Sequence, residues 1–290
     1  MDANEFLTER FEEHRPHLKA VAYRMLGSHA EADDAVQEAW LRVTRADPAA
    51  VDNMGGWLTT VVGRICLNVL RTRHREEPLD AHVPDPVLAR IESADPEQEA
   101  LLADSVGLAL LVVLETLSPP ERLAFVLHDM FSMPFDEIAA VLDRSETATR
   151  QLASRARRRV RGARRMPDAD IGAQRAVVEA FTSAARGGDL ATLVSLLAPD
   201  VVVRADGGTL RPSAVLRGPE AVAKGAMAFS ATAELTRLAL VNGAVGAVAL
   251  TEGRIVSVAA FTVYEGRIAE LDILTDPERL ARLDPIALDG

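Results

Sequence analysis

Apolar positions recur at helical spacing through the first 165 residues of the chain, and no strand pattern interrupts them. Gly27-Ser28 and the loop that starts at Asp47-Pro48 separate the first three helices. The spacing predicts helices over these segments: Phe6 to Leu26, Ala30 to Arg45, Asn53 to Arg75, Glu97 to Leu117, Pro120 to His128, and two more between Pro134 and Arg165.

The pattern changes at Ile171. Two helices, from Gly172 to Ala185 and from Leu190 to Leu197, precede short Val-rich runs that end in turns such as Glu252-Gly253 and Glu265-Gly266. These runs are predicted strands at 201–205, 244–252, 254–265 and 267–274. Helices followed by such strands predict an α+β unit with an antiparallel sheet.

Two segments show neither period and are predicted linkers: the proline-rich acidic stretch 76–96 and the stretch from Gly162 to Asp170. The fold class is therefore multidomain, with two all-α domains followed by an α+β domain. The predicted domains are residues 1–75, 97–165 and 171–290, with the first linker at 76–96.

The segment from Pro134 to Arg165 is typical of a helix-turn-helix. Its first helix, PFDEIAAVL, is apolar on one face; residues 143–145 break it, and Ser145 is the predicted N-cap of the next. In the second helix Ala148, Leu152, Ala156 and Val160 recur at i+4. Nine arginines against two acidic residues lie between Leu142 and Arg165. A run of charge is usually a solvated face, but here it falls on the predicted recognition helix, which favours DNA binding in the major groove.

Composition narrows the picture further. The chain has 290 residues, 48% hydrophobic and 26% charged, with a net charge of −11. Nucleic-acid contacts must therefore come from local basic segments. The predicted recognition helix is one such segment, and residues 64–75 form the other. A single cysteine, Cys66, excludes an internal disulfide and a cysteine zinc site. No apolar run approaches 18 residues and no cofactor motif is present, so we expect a cytoplasmic protein with no membrane contact and no cofactor.

Three segments, in this order, resemble bacterial sigma factors of the extracytoplasmic-function group: DDAVQEAWLRV at 33–43, WLTTVVGRICLNVLRTRHR at 57–75 and QLASRARRRVR at 151–161. In that family the first grips RNA polymerase, the second reads the −10 element and the third reads the −35 element. The resemblance implies core polymerase, through its β′ clamp helices and β flap, and promoter DNA as partners.

The resemblance also implies sites. The predicted polymerase contacts share one face of the 33–43 helix and of the residue after it: Asp33, Gln37, Trp40 and Thr44. Val36, Ala39 and Val43 are expected to face inward. The predicted −10 contacts are Asn53, Arg64, Asn68, Arg71 and Arg73. On the recognition helix we expect base contacts from Arg150, Gln151, Ser154 and Arg155, and phosphate contacts from Arg157, Arg158 and Arg161.

The last domain resembles the SnoaL-like domain, of the nuclear-transport-factor-2 type, found in sigma factors of the sigma J-like group. That domain is a cone of helices against a curved sheet. Asp206-Gly207-Gly208-Thr209 is similar to a family Asp-Gly-Gly-Gly loop, and residues 276–280 to an Asn-Pro-Asp-Lys-Leu segment, with Thr209 and Asp276 as departures. Residues 83–87 resemble the end of a linker motif whose aromatic half is replaced by residues 79–82, so we expect a weaker or differently built contact.

The function expected is promoter-specific transcription initiation, regulated in cis by this domain, which would dock on the linker and the −10 domain. The expected regulatory contacts are Asp206, Gly207, Gly208, Asp276, Pro277 and Leu280. Two alternatives stay open: a helix-turn-helix regulator with a small-molecule-sensing domain, and a fused cyclase-like enzyme. Residues 171–290 contain no His, Cys or Trp, which leaves as possible proton-transfer groups Asp206, Asp272, Glu270, Tyr264 and Lys224. We therefore expect a regulatory domain and not an enzyme, with a small ligand in the cone as an open possibility.

Overall fold

The computed structural model describes residues 3–44, 53–73, 81–91, 107–163, 167–210, 212–230 and 235–283. The chain divides into two compact units. The first comprises Met1–Pro78 and Val113–Ala163, and the second comprises Leu79–Val112 and Arg164–Gly290. Among the described residues no helix is both long and apolar enough to cross a bilayer.

The first unit is built from helices. Three precede the linker: α1 (Ala3–Leu26), α2 (His29–Val43) and α3 (Met54–Arg73). Four follow it: α4 (Leu108–Glu115), whose residues are divided between the two units, α5 (Pro119–Phe125), α6 (Phe135–Leu142) and α7 (Glu146–Ala163). A π-helical turn, Val126–Met130, extends α5. These confirm the predicted helices to within a few residues, except that the helix predicted from Glu97 to Leu117 is confirmed only from Leu108, because Gly107 precedes the helix and the residues before it lie outside the described ones.

The burial of side chains follows the apolar spacing. On α2, Val36, Ala39 and Val43 are fully buried, as their shared face predicts. On α7, Leu152, Ala156 and Val160 pack inward while the arginines stay on the other side. The i+4 pattern thus separated the packing face from the outer face correctly on both helices.

Helix α3 packs against α5 and α6, so the two helical segments on either side of the linker form one body. A Cβ on Gly63 would lie 3.4 Å from Leu127 Cδ1, which shows how closely α3 approaches. Arg64 Nη2 donates to the carbonyl of Ala140 on α6 at 2.9 Å. Arg122 Nη2, on α5 and fully buried, donates to the carbonyl of Arg24 on α1 at 3.2 Å.

The second unit is a seven-stranded sheet with helices on one face. Its elements, in chain order, are β1 (Leu88–Ala89), α8 (Ile171–Gly187), α9 (Leu190–Leu196), β2 (Leu197–Asp206), β3 (Ala214–Arg217), α10 (Pro219–Ser230), β4 (Leu235–Val241), β5 (Ala244–Thr251), β6 (Arg254–Tyr264), β7 (Arg267–Leu274) and α11 (Pro277–Leu280). Val178, Phe181, Val203, Phe261 and Leu271 are among the residues that form the core between the helices and the sheet.

The strand order is β1-β4-β5-β6-β7-β2-β3. The prediction of an antiparallel sheet was wrong at one place, because β2 and β7 pair in parallel, with Val203 opposite Leu271. The β6–β7 hairpin brings the last strand beside the first long one in the same direction. Sequence periodicity identifies strands but not their partners, and β1, β3, α10 and β4 carried too little pattern to be predicted.

Candidate functional site

The turn between α6 and α7 is built by local side chains. Asp143 ends α6 in the left-handed conformation, at φ 54 and ψ 52, a region that Asp tolerates better than most residues. Ser145 Oγ accepts from the backbone N–H of Ala148 at 3.2 Å, so the predicted N-cap forms. This geometry projects α7 with its polar side outward.

The predicted −35 residues lie mostly on that outer side. Arg157 is half-buried. The other six are exposed: Arg150, Gln151, Ser154, Arg155, Arg158 and Arg161. Arg150 is paired with Glu146 and its guanidinium lies 4.7 Å from the Phe135 ring centroid. Glu146 and Phe135 therefore fix the direction of Arg150, the first arginine on α7.

Farther along α7, acidic residues of the same unit hold the arginines. Arg157 Nε lies 2.6 Å from Asp129 Oδ1. Glu121 receives two arginines, Arg155 Nε at 3.3 Å and Arg159 Nη1 at 3.0 Å. The buried Glu121 carboxylate also closes a capping box with Ser118, whose Oγ donates to it at 2.7 Å. Glu121 thus anchors two side chains of α7, a role that the sequence reasoning missed.

The predicted −10 residues divide into two groups. Asn53, Arg64, Asn68 and Arg71 are exposed, although Arg64 also bonds α6 as described above. Arg73 is turned into the protein, where Nη1 donates to Leu26 O at 3.1 Å and Nη2 pairs with Glu31. Asn53 Oδ1 accepts from the Gly56 N–H at 3.0 Å, at the start of α3. The part of the predicted base pocket at 47–52 lies outside the described residues.

The predicted polymerase contacts share the outer face of α2 and its C-terminal end. Asp33, Gln37 and Thr44 are exposed, and Asp33 pairs with Lys19 at 2.6 Å. Trp40 is half-buried, with its ring 5.0 Å from that of Phe11. The residue therefore has a packing role in addition to any role on the surface.

Residues 81–91, which we call the linker segment, lie along the α+β domain of the second unit. Leu88 and Ala89 of β1 pair with β4, and Val87 N–H donates to Asn242 Oδ1 at 3.0 Å. The part of the predicted linker that the structure describes is therefore a strand and an extended chain that belong to the sheet of this unit.

Arg279 on α11 donates to three acceptors, two in the linker segment and one in β2. Nε donates to Asp85 Oδ1 at 2.5 Å, Nη2 to the Val83 carbonyl at 2.5 Å, and Nη1 to Asp206 Oδ2 at 2.8 Å. We call Arg279 with these three partners the clamp. The sequence reasoning listed the neighbours Pro277 and Leu280 instead, although a basic residue at this place in the motif was the available signal.

Asp206 joins the clamp to the glycine loop. Its Oδ2 also accepts from the Val83 N–H at 3.0 Å and lies 3.2 Å from His82 Nδ1. Although burial opposes ionisation, hydrogen bonds from His82, Val83 and Gly208 and the charge of Arg279 hold the pKa of Asp206 well below its ordinary 3.8. The carboxylate is therefore ionised throughout the neutral range.

The other motif residues shape this corner. Gly208 has φ +63, and a Cβ there would come within 2.0 Å of Asp276 Oδ2, so only glycine fits. Asp276 Oδ1 caps α11 by accepting from Glu278 N–H at 2.8 Å. Gly207 N–H donates to Ser213 Oγ at 3.1 Å, and Leu280 is buried.

Comparison with known proteins now decides the family. The models of Sigma-70 region 2 and Sigma-70 region 4 match residues 10–76 and 107–160. The chain is 40% identical to the ECF RNA polymerase sigma factor SigJ of Mycobacterium tuberculosis, over 93% of this chain and 91% of that protein. It is 34% identical to a probable ECF sigma factor, SigI, of the same organism, over 94% and 93%. The chain belongs to the extracytoplasmic-function RNA polymerase sigma factors.

A solved structure supports the same conclusion for the fold. The crystal structure of M. tuberculosis SigJ superposes on this sigma factor with a TM-score of 0.72 at 37% identity, covering 94% of this chain and 98% of that one. The expected fold class is thereby confirmed, with two helical sigma regions followed by a helix-and-sheet domain.

The α+β domain of this sigma factor encloses a cavity of about 220 Å³ between its helices and its sheet. Val203, Ala205, Leu271 and Ile273 line it, whereas their neighbours along β2 and β7 point to the opposite face. None of the five possible proton-transfer groups is among the described residues that line the cavity.

Two of those groups form a buried charge cluster on the other face of the sheet. Arg204 Nη1 lies 3.0 Å from both Glu270 Oε2 and Asp272 Oδ1. Burial raises the pKa of Asp272 to about 6, against the opposing effect of Arg204. The cluster is an ion-pair network in the sheet, and its three residues are not among those that line the cavity.

Proposed function

We propose that this sigma factor directs core RNA polymerase to a subset of promoters, and that its C-terminal domain controls promoter access in cis by holding the linker segment. The single observation that carries the regulatory part is the clamp, which fixes the chain between the two sigma regions onto the domain that follows them.

Promoter reading is assigned to two helices. On α7, exposed Arg150, Gln151 and Ser154 occupy the first turns, where side chains of a recognition helix reach base edges. We assign phosphate contacts to Arg158 and Arg161, which are exposed farther along the helix. On α3 we assign contacts with the opened −10 strand to Asn68 and Arg71, which are exposed.

Polymerase binding is assigned to the outer face of α2, toward the β′ clamp helices, with region 4 toward the β flap. Gln37 is exposed on a helix whose inner face is already filled by alanine and valine. Its exposed polar side chains are available to a partner, and polymerase is the partner that the family implies.

The packing of α3 against α5 and α6 conflicts with reading both elements together. Elements centred at −10 and −35 are about 25 base pairs apart, or about 85 Å along a B-form duplex. A compact unit of roughly 130 residues has a radius of gyration of only about 14 Å. The two regions must therefore separate before both elements are bound, which breaks the bond from Arg64 to Ala140.

The connecting chain sets how far they can separate. Fully extended, the roughly 35 residues between Arg73 and Leu108 could span about 115 Å. With the linker segment clamped, region 2 is tethered to the C-terminal domain by the roughly seven residues 74–80, about 24 Å of chain. The clamp thus favours the closed arrangement, and its release favours promoter binding.

In vitro transcription with core polymerase tests this proposal. Arg279→Ala removes the clamp, and Arg282→Ala is the matched control because Arg282 is exposed one turn away. We expect more promoter-dependent transcript from Arg279→Ala and an unchanged amount from the control. Removing residues 167–290 should change activity strongly, and ending the chain before Asp276 should change it differently. Equal transcript from all variants, with core binding retained, would contradict control by the domain.

A further inference from the structure

The cavity of the C-terminal domain is lined almost entirely by apolar side chains, but its polar groups gather at one end. Antiparallel pairing sets Thr236 opposite Ala249 and Ala249 opposite Ser257, and all three line the cavity. Thr275, just after the Leu274 that pairs with Val258, continues this row. The row crosses the sheet at one level, so the cavity has a polar end and an apolar body.

Arg186 stands at that polar end. It lies in the last turn of α8, is exposed to solvent, and donates from Nη2 to the Thr236 carbonyl at 3.1 Å, which anchors the guanidinium beside the row. Among the described residues that line the cavity, Arg186 alone carries a charge. An anion at this end would meet a cation, and no carboxylate is among the described residues that line the cavity.

The hydroxyls that line the cavity are not equivalent. Thr182 Oγ1 donates to Val178 O at 2.9 Å and Thr275 Oγ1 donates to Asp206 O at 3.1 Å, so both serve the backbone. Ser257, although only 2% exposed, is directed into the cavity from the middle of β6. At the polar end a ligand head group is therefore offered the Arg186 guanidinium from α8 and the Ser257 hydroxyl from β6.

These features select a chemical class. A guanidinium pairs with a carboxylate through two parallel hydrogen bonds, and its exposure lets the carboxylate keep part of its hydration. Phe181, Val203 and Phe261 offer the rest of the ligand only apolar contact. A cavity of about 150 Å³ holds a benzene molecule, so 220 Å³ suits roughly eight to ten non-hydrogen atoms.

We infer that the cavity of the C-terminal domain is a binding site for a small monocarboxylic acid with an apolar body, whose carboxylate is held at the mouth by Arg186. Ser257 donates a hydrogen bond to the same carboxylate. The site lies next to the clamp, because its lining residue Ala205 directly precedes Asp206 and the hydroxyl of its lining residue Thr275 bonds to the Asp206 carbonyl. Binding itself does not rest on the proposed control of the linker.

Isothermal titration of the full-length protein with octanoate and with 1-octanol tests the site. The two probes share one chain and differ in the charged head. Octanoate should bind at one site per chain and at least tenfold more tightly than octanol. Arg186→Gln should weaken octanoate by about 10- to 100-fold, as expected for a charged hydrogen-bonded pair, and leave octanol within about twofold.

Two further variants keep the outcome decisive. Arg175→Gln, on the same helix but away from the cavity, should leave octanoate binding unchanged. Ala259→Leu fills the cavity and should abolish binding of both probes. No octanoate binding by folded wild type, equal affinity for octanol, or unchanged binding in Arg186→Gln would each overturn the inference, and circular dichroism checks that every variant is folded.

Discussion

Arg279 and Asp206 are joined by a 2.8 Å bond from Nη1 to Oδ2, although 73 residues separate them in the sequence. Each of the two also binds the linker segment, Arg279 through Asp85 and the Val83 carbonyl, and Asp206 through the Val83 N–H. The pair closes a ring of charged hydrogen bonds around Val83. Losing Arg279 would take the cation from the buried carboxylates of Asp85 and Asp206, and losing Asp206 would take one of two carboxylates from Arg279, which makes this contact a single unit rather than a sum of parts.

Amide exchange of the linker segment reports on the clamp directly. Replacing Arg279 with Ala should cost about 3 kcal/mol of local stability, because it leaves Asp85 and Asp206 without their cation. The Val83 and Val87 amides should then exchange about 100-fold faster than in the wild type. Hydrogen–deuterium exchange by mass spectrometry measures this, with Arg282→Ala as the control. Unchanged protection of residues 81–91 would show that β1 alone holds the segment.

The stability of the C-terminal domain should depend on pH through Asp272. Its pKa is raised to about 6 in the folded state, above the ordinary 3.8, so the folded state binds the proton more tightly. Stability from this group is therefore greatest at low pH and is lost as pH rises from about 4 to about 6. Asp206, whose pKa is lowered, has the opposite sign and loses its contribution only below 3.8.

Between pH 5 and pH 7.5, the unfolding free energy of this domain should fall by about 1–2 kcal/mol in the wild type. Asp272→Asn cannot titrate and should remove that fall. Urea unfolding followed by circular dichroism at the two pH values measures the difference. The same fall in both proteins would assign the pH dependence to another group.

The assignment of the −35 contacts separates residues that read bases from residues that bind phosphate on the same helix. Replacing Arg150 or Gln151 with Ala should weaken binding to the correct promoter by roughly 1–3 kcal/mol, whereas Arg161→Ala should weaken all DNA alike. Electrophoretic mobility shifts of the polymerase holoenzyme on matched and scrambled −35 sequences measure both. If Arg150→Ala lost affinity equally on every sequence, Arg150 would be a phosphate contact. Core binding should be unaffected in all three variants.

Polymerase docking is best tested at Gln37, because Trp40 also packs on Phe11. Gln37→Ala alone should reduce co-purification with core polymerase, and adding Trp40→Ala should reduce it further at some cost in stability. Asp34→Asn, exposed on the same helix, serves as the control. Full retention of core by a folded double variant would place the docking surface elsewhere.

Helical spacing predicted the sigma regions well because each helix there has one packing face and one outer face. Ala39 and Leu152 are buried where the i+4 pattern placed them. The sheet was harder: β3 is a four-residue edge strand with no fully buried position, and the parallel pairing of β2 with β7 depends on contacts distant in sequence. Local pattern carries no information on such partners.

The contacts of the functional site could likewise be predicted only in part from the sequence. The motif resemblance directed attention to residues 206–208 and 276–280, yet the side chain that binds the linker segment is Arg279, and its acceptors are Asp85 and the Val83 carbonyl. Similarly, Glu121 has no motif, and its hold on Arg155 and Arg159 appears only when α5 and α7 are packed together. Charge pairs between elements are a property of the fold.

The distance between regions 2 and 4 tests the central claim most directly. Nitroxide labels at Arg10→Cys on α1 and Arg158→Cys on α7, both exposed, report it by double electron–electron resonance. Cys66 can stay, because burial raises the pKa of its thiol to about 12 and leaves it unreactive. With the clamp intact we predict one short, narrow distance distribution, and with Arg279→Ala an added population at longer distances. An identical narrow distribution in both proteins, when amide exchange shows the linker segment released, would contradict the claim that the clamp keeps the two regions together.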